Sequence, residues 1–448
     1  MNVKTFSIIC MLVMSLNSTN GLCQIDVHSH MISDSYMSCV KAHGMEMDEG
    51  FPIPSWSASS HLEFMENAGI KVSVLTTPAP QPYFGDSEES AAICRKLNEE
   101  CAALKALHPG KFLFCATLPL PDVDAAIKEA KYALEVLGAD GVKLASNSCG
   151  LYLGDPKMDP LMEYLNSRNA VIITHPHKPS AANAELISAV PLASYEYLAE
   201  TTRAVFNMVA HDVPARFPNL KIVVPHCGSF LPSALPRFKG LLPTMVSKGY
   251  MNNVDVDANM KSFYFDLAGA ATDDAIDALL TITEPSHILY GSDYPYVAPE
   301  ALIGAKASLS QRLASHGLAP EDVFTNNALR LFGADIPVRE YGERIVRLAE
   351  IKVRQGMLDD YLSFAKEVGV VSMKTEPGVV ALFSMQDKKD PNTVYILEVY
   401  ADSQAYQSHI QTDHFKKYKE GTAEMVESLK LIDTNPLVSI KFPKDAIK

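Results

Sequence analysis

The sequence predicts an α/β fold: a (β/α)8 TIM-like barrel over residues 24–335, followed by a second, C-terminal α+β ferredoxin-like domain over residues 344–448. Three observations predict this division. Short apolar runs alternate with helical stretches through the first part, the segment 333–343 contains Gly, Pro and several charges, and the last part has a different strand rhythm. The middle segment is typical of a linker.

Eight apolar runs define the predicted barrel strands. They are residues 25–28, 72–76, 112–116, 141–144, 171–174, 222–225, 263–267 and 287–290. Continuous apolar runs indicate strands that are buried on both faces. Eight such strands with intervening helices, over about 300 residues, favour a closed (β/α)8 barrel.

The last hundred or so residues follow the order βαββαβ, which is typical of the ferredoxin-like fold. The predicted strands are 345–353, 379–385, 393–400 and 431–440, and the predicted helices are 358–370 and 403–429. A turn-rich polar loop at 386–392 joins the two middle strands.

Bulk properties exclude some functions. The chain has 448 residues and a formal net charge of −14, with a pI of about 5.4. This charge argues against a nucleic-acid partner, because phosphate binding needs a basic face. Eight cysteines are present without a CxxC pair, so we predict core thiols and no zinc–cysteine site.

The N-terminus predicts export. Lys4 precedes an apolar stretch at 6–16 and a small, polar stretch at 18–21, which is typical of a signal peptide over residues 1–23. We therefore expect a periplasmic or secreted protein; the alternative is an uncleaved apolar tail. No apolar run reaches the roughly 20 residues of a transmembrane helix, so we expect no membrane partner.

Five polar side chains stand at predicted strand ends. His28 and His30 follow the first strand, and because alternate strand residues share a side, both imidazoles can reach one ion. His175 ends the fifth strand, His226 the sixth and Asp293 the eighth. The carboxyl ends of barrel strands form the face where active sites are built. Each residue alone fits a buried histidine or a turn, but together, in strand order, they predict a site.

This pattern resembles the amidohydrolase superfamily, and more closely the branch that contains aminocarboxymuconate-semialdehyde decarboxylase and aromatic acid decarboxylases. The matching stretches are Asp26-Val-His-Ser-His30, Thr174-His-Pro176, Arg216-Phe-Pro-Asn-Leu-Lys-Ile-Val-Val-Pro-His-Cys-Gly228, Tyr290-Gly-Ser-Asp-Tyr-Pro295 and Asn326-Asn-Ala-Leu-Arg-Leu-Phe332. The resemblance implies that His28, His30, His175 and Asp293 are metal ligands. It implies that His226 is the acid/base beside the metal-bound water, and we count Asp293 with it as catalytic.

One position departs from that branch. Ser229 stands where the branch often has a second glycine after His-Cys-Gly, so we expect this loop to differ in substrate fit. Three imidazoles and a carboxylate suit Zn²⁺ with an open position, and Mn²⁺ or Fe²⁺ remain alternatives because N and O ligands select weakly.

Two further residues are candidates for substrate binding. Arg237 follows the His226 loop and could pair with a carboxylate, or else form a surface ion pair. Trp56 lies in the long loop after the first strand and could wall the pocket, or else pack in the core. We interpret His177 as a loop residue or as an outer partner of the metal ligands, and Arg203 as structural.

The C-terminal segment resembles the antibiotic-biosynthesis monooxygenase family, which includes quinol monooxygenases. The residues that carry this resemblance are Glu376-Pro-Gly-Val-Val380, Glu398-Val-Tyr-Ala401 and Ser408-His-Ile-Gln-Thr-Asp-His-Phe-Lys-Lys417. It implies a dimer-forming α+β domain, often without metal or flavin, so we predict no cofactor here. We interpret His409 and His414 as helix-surface or dimer-interface residues in preference to catalytic ones.

Together these features predict a metal-dependent, non-oxidative decarboxylase of a small aromatic or unsaturated carboxylic acid, in a homodimer. The alternatives are hydrolysis of a lactone, ester or amide at the same ligands, and a non-catalytic binding barrel. The C-terminal domain is predicted to oxidise a phenol or quinol without a cofactor, or to serve dimerisation, since its fold alone does not imply oxygenase activity.

Overall fold

The computed structural model describes residues 24–48, 50–179, 190–269, 271–333, 345–376, 378–400 and 403–434. The chain divides into two compact units, Met1–Val338 and Arg339–Lys448. The predicted signal peptide and nearly all of the predicted linker lie outside the described residues. Within the described ranges, no helix combines the length and the apolar character needed to cross a membrane.

The first unit is a barrel of eight parallel strands whose order in the sheet is their order in the chain. The strands are β1 (Gln24–His30), β2 (Ile70–Thr76), β3 (Phe112–Thr117), β4 (Gly141–Ala145), β5 (Val171–His175), β6 (Lys221–Val224), β7 (Tyr264–Asp266) and β8 (Ile288–Leu289). Val27 N–H donates to the Tyr290 carbonyl at 3.0 Å, and Ser29 pairs in parallel with Tyr294. These contacts join β8 to β1, so the predicted barrel is confirmed.

Helices connect the strands and cover the outside of the barrel. They are α1 (Asp34–Ala42), α2 (Ala58–Ala68), α3 (Ser87–Leu107), α4 (Val123–Glu135), α5 (Asp159–Ser167), α6 (Glu196–Ala210), α7 (Val213–Arg216), α8 (Leu231–Ser247), α9 (Val256–Lys261), α10 (Asp273–Leu280), α11 (Pro299–Ser315) and α12 (Asn327–Phe332). Several starts are fixed locally: Asp86, Asp122 and Thr272 accept backbone N–H groups at the starts of α3, α4 and α10.

Apolar residues fill both sides of the strands. Val72 and Val74 belong to the cluster inside the barrel, whereas Ile70 and Leu75 belong to the larger cluster between strands and helices. This double burial explains the continuous apolar runs of the sequence.

A β-bulge interrupts the alternation in β1. From Asp26 to Ser29, β1 advances three residues, while its partner β2 advances only from Ser73 to Leu75. The extra residue changes which side chains face inward, so that the interior face passes from Val27 to His28 and His30. Bulges are frequent next to active sites because they re-aim side chains in this way.

The second unit is an antiparallel four-stranded sheet with helices. Its elements are β9 (Ile345–Val353), α13 (Leu358–Thr375), β10 (Val379–Gln386), β11 (Thr393–Tyr400), α14 (Ser403–His409), α15 (Asp413–Thr422) and β12 (Val426–Thr434), and the sheet order is β10-β11-β9-β12. Ala349, Ile351 and Val353 alternate along β9 and pack against Tyr361 and Ala365 of α13. The ferredoxin-like prediction is confirmed.

The predicted helix over 403–429 is wrong in extent. Two short helices occupy its first part, and β12 begins at Val426 instead of residue 431. Val426 pairs with Val353 and Thr434 with Val346, so nearly the whole length of β9 is matched. The ladder of backbone hydrogen bonds to β9 therefore outweighs the local helical preference of residues 426–429. Residues 435–440 of the predicted strand lie outside the described residues.

Candidate active site

The structure brings together four side chains that the sequence places far apart. One ligating atom from each of His28, His30, His175 and Asp293 lies within 4.8 Å of the other three. Asp293 Oδ1 is 3.1 Å from His30 Nε2 and 3.5 Å from His28 Nε2. His226 stands at the edge of this group, with Nε2 3.7 Å from Asp293 Oδ2.

Each of the three clustered histidines has a partner at Nδ1. His28 Nδ1 is 2.9 Å from Asp266 Oδ2, His30 Nδ1 is 3.0 Å from Thr76 Oγ1, and His175 Nδ1 is 2.9 Å from the Pro176 carbonyl. The Thr76 hydroxyl donates to the Ser29 carbonyl, so it accepts from His30. With the proton on Nδ1, each imidazole keeps its Nε2 lone pair for the centre, as second-sphere partners of metal ligands do.

Asp266 is the main site residue that the sequence reasoning missed. It ends β7, is fully buried, and its Oδ1 accepts N–H groups from His226 and Ala268 at 3.1 and 3.0 Å. One carboxylate therefore orients both His28 and the backbone of His226. A lone Asp at the end of the apolar run 263–267, on the same rim as the other strand-end residues, is the signal that could have found it.

Asp293 is held by the loop that precedes it. The buried Asp26 carboxylate accepts the Ser292 hydroxyl at 2.6 Å and the Ser292 N–H at 2.9 Å. A Cβ at Gly291 would lie 2.8 Å from the Cβ of His28, so only glycine fits there. The Gly-Ser-Asp sequence thus serves positioning as well as ligation, and Asp293 itself has a positive φ of 61°.

The electrostatics leave His30 and His175 ready to bind a cation, whereas His28 has to release a proton when a cation binds. Burial lowers the pKa of His30 to about 4 and that of His175 well below its usual value, so both are neutral near pH 7. Burial would also lower the pKa of His28, but the Asp266 carboxylate raises it to about 9. Burial would raise the pKa of Asp293, but the His226 and His30 imidazoles hold it well below its usual value.

A cavity of about 520 Å³ opens above the cluster. Its walls include three aromatic rings, Phe51, Tyr197 and Tyr296, and several small or aliphatic side chains. The side chains of Asp293 and His226 are 19% and 15% exposed, whereas those of His28 and His30 are 1% and 0% exposed. A ligand in the cavity would therefore meet Asp293 and His226 first. Among the described lining residues there is no Arg or Lys.

The two predicted substrate-binding residues lie elsewhere. Trp56 donates to His61 Nδ1 at 3.0 Å and packs among buried residues, and Arg237 is exposed on α8. Neither is among the described residues that line the cavity, so substrate contact by either stays a prediction. His177 lies in the loop after β5, and Arg203 pairs with the buried Glu200 at 2.8 Å, as expected for a structural residue.

Ser229, the departure noted in the sequence, lines the cavity in a strained conformation. Its φ of 55° and ψ of −126° lie in a region that favours glycine. Its hydroxyl is buried and has no hydrogen-bond partner among the described residues.

Comparison with known proteins agrees with this geometry. The profile of the amidohydrolase family matches residues 25–334. The chain is a member of the amidohydrolase family. The profile of the antibiotic biosynthesis monooxygenase family matches residues 344–421, within the second unit of this amidohydrolase-family protein.

Curated relatives of the barrel are decarboxylases by name. A decarboxylase of Aspergillus niger is 32% identical over 323 residues, which cover 69% of this chain and 87% of the relative. A 6-methylsalicylic acid decarboxylase of Aspergillus aculeatus is 29% identical and covers 69% of this chain and 96% of the relative.

A solved structure of similar fold is the 5-carboxyvanillate decarboxylase of Novosphingobium aromaticivorans, in complex with manganese and a nitrobenzoic acid. It is 18% identical, has a TM-score of 0.59, and covers 69% of this chain and 96% of that chain. At this identity the likeness shows the fold alone.

Proposed function

We propose that the barrel is a metal-dependent carboxy-lyase that releases CO2, without oxidation, from a small aromatic carboxylic acid. The observation that carries the proposal is the cluster of three imidazoles and a carboxylate at the floor of an aromatic-walled cavity. The decarboxylase names of the relatives support it.

The residues fit a divalent cation. His28 Nε2 is buried and has no hydrogen-bond partner among the described residues, although its ring is fixed through Nδ1. Such an orphaned nitrogen costs free energy unless something binds it. We propose Zn²⁺ as the ion; the manganese in the fold relative makes Mn²⁺ the alternative to test. When bound, the cation would supply the positive charge for a carboxylate and an adjacent phenolic oxygen.

Side chains of the site supply the proton and hold the substrate ring. Decarboxylation of a hydroxybenzoate replaces the C–CO2⁻ bond of the ring by C–H, so a proton must reach that ring carbon. His226 Nε2 stands at the cavity edge of the cluster and can deliver it, since histidine is the most frequent general acid or base in enzymes. Asp266 fixes the backbone of His226, and the apolar and aromatic walls hold the ring and exclude water.

A substrate panel tests the proposal. Purified protein loaded with Zn²⁺ or Mn²⁺ is incubated with 2-hydroxybenzoates, including 6-methylsalicylate, and CO2 and the phenol are measured. We expect His226→Gln to keep the metal and lose about 10²- to 10⁴-fold in rate, and His28→Ala/His30→Ala to lose both. Acid release from lactones, esters or amides without CO2 would indicate a hydrolase. Ligand binding without turnover would indicate a binding barrel.

We also propose that the second unit oxidises a phenol or quinol with O2, and that the protein is a homodimer. The monooxygenase profile supports the first, and Leu429 and Leu431, 57% and 48% exposed on the edge strand β12, support the second. Oxygen uptake with the phenolic product, and light scattering of the purified protein, test them. Export, which we propose from the sequence of residues 1–23, is tested by N-terminal sequencing of the secreted or periplasmic protein.

A further inference from the structure

A second group of metal-ligating side chains lies in the C-terminal unit, where three helix ends meet. Glu376 follows α13, His409 ends α14 and His414 lies in the first turn of α15. Glu376 Oε1 is 3.0 Å from His409 Nδ1 and 2.6 Å from His414 Nε2. One ligating atom from each residue lies within 4.8 Å of the other two.

The group is largely shielded from water. The exposed fractions of the side chains are 3% for His409, 12% for Glu376 and 20% for His414. The helix-surface interpretation of His409 is therefore wrong: α14 turns this side chain inward. Of the three side chains, that of His414 is the most exposed, so solvent reaches the group from the His414 side.

The surroundings hold the His409 ring and the turn that carries both histidines. The His409 ring packs between Tyr400 and Phe415, with ring centroids 5.2 and 4.7 Å away. The Thr412 hydroxyl donates to the His409 carbonyl at 2.8 Å and accepts the Phe415 N–H at 3.3 Å. The turn that carries both histidines is thus tied at its start and at its end, which limits their freedom as in a preorganised site.

The spacing matches that of the barrel cluster. The N···O distance from His409 to Glu376, 3.0 Å, is close to the 3.1 Å from His30 to Asp293. Two imidazoles and one carboxylate disfavour Mg²⁺ and Ca²⁺, which prefer oxygen, and favour first-row transition cations with open positions. The sequence predicts no cofactor in this domain, but on this geometry we propose that Glu376, His409 and His414 bind a divalent cation of this class, with Zn²⁺ or Fe²⁺ as the fitting ions.

Two other groups in the described part of the chain fit less well. One ligating atom from each of Cys39, His43 and Glu89 also lies within 4.8 Å of the other two, but the side chains of His43 and Glu89 are 28% and 46% exposed. His316 lies between Asp273 and Asp277, whose side chains are 65% and 69% exposed. Side chains that are this well solvated by water bind a shared ion only weakly, so the His316 group serves as a control.

The test is metal content of the full-length protein. The protein is stripped with chelator, loaded with Zn²⁺, freed of excess and measured by elemental analysis. We expect two ions per chain in the wild type and one each in Glu376→Gln/His414→Ala and in His28→Ala/His30→Ala. We expect none in the combined variant, and two in the His316→Ala control. Circular dichroism of each variant excludes unfolding as the cause of a loss.

Cobalt gives a second readout that does not depend on activity. Co²⁺ loaded into His28→Ala/His30→Ala should show visible d–d absorption. Adding Glu376→Gln to that variant should weaken the absorption, since the Gln amide keeps the shape of the Glu side chain but not its charge. The inference is overturned if Glu376→Gln/His414→Ala binds as much Zn²⁺ as the wild type. In that case the group is an ion-pair network only. If only the His28→Ala/His30→Ala variant loses bound Zn²⁺, the second site is refuted, but the proposed metal site of the barrel stands.

Discussion

Replacing Asp266 by Asn tests whether the site depends on the orientation of His28. The carboxylate accepts the His28 Nδ1 proton at 2.9 Å and two backbone N–H groups through its other oxygen. Asn can keep the backbone contacts through Oδ1, but its N–H group would then face Nδ1. His28 would have to carry its proton on Nε2, the atom that faces the cation site, and would lose its ability to ligate.

The expected cost follows from the loss of one oriented ligand. Removing such an outer partner typically lowers metal affinity by about 10- to 100-fold, which is about 1.4 to 2.7 kcal/mol. Competition of the loaded protein with a chelator of known affinity measures it directly, and decarboxylation at limiting metal should fall in parallel. Excess metal should restore much of the activity, because His226 and Asp293 remain in place.

Asp277→Asn is the matched control. Asp277 also pairs with a histidine, at 2.6 Å from His316 Nδ1, but its side chain is 69% exposed. The surface change should leave metal affinity within about twofold, since exposed ion pairs contribute little. An Asp266→Asn protein that folds and binds Zn²⁺ as tightly as the wild type would refute the assigned role of Asp266.

Four further changes have defined outcomes. Burial lowers the pKa of His61 to about 3, and its Nδ1 accepts a hydrogen bond from Trp56. In the unfolded chain this histidine takes up a proton below about pH 6.5, whereas the folded protein keeps it neutral. The free energy of unfolding should therefore fall in acid, with a contribution from His61 of about 2 kcal/mol at pH 5. Other buried histidines with a lowered pKa also lose stability in acid, so urea unfolding at pH 7 and pH 5 should show a loss that is about 2 kcal/mol smaller in His61→Gln than in the wild type. Gly291→Ala places a Cβ 2.8 Å from His28 Cβ and should destabilise the protein by about 1–3 kcal/mol. The control Gly304→Ala lies in open space on α11 and should not destabilise it. Equal melting temperatures of the two variants would contradict the contact at Gly291. Ser229→Gly should stabilise by about 1 kcal/mol, as relief of strain outweighs the greater freedom of the unfolded chain; a lower melting temperature would show that the hydroxyl is bound. Arg237→Ala tests the predicted substrate contact: loss of a carboxylate partner should raise KM about tenfold or more, and an unchanged KM would refute the contact.

The strand-end site residues could be predicted from the sequence because a parallel barrel brings the carboxyl ends of all its strands to one face. Once eight apolar runs were counted, His28, His30, His175, His226 and Asp293 had to share a rim, whatever the details of packing. The ferredoxin-like order of the second unit was predictable for the same reason, as strand and helix periods are local properties of the chain.

Tertiary structure alone decided the partners and the boundaries. Asp266 orients His28 because the end of β7 lies within hydrogen-bond distance of the cluster. His61 is paired because Trp56 reaches it from the loop after β1. The bulge in β1 depends on its register with β2. The start of β12 at Val426 depends on pairing with β9, which no window of residues 403–440 contains. Sequence periodicity determines which face of an element is apolar, but contacts between distant segments determine which polar atoms are satisfied, and hence which side chains remain free to bind an ion or a substrate.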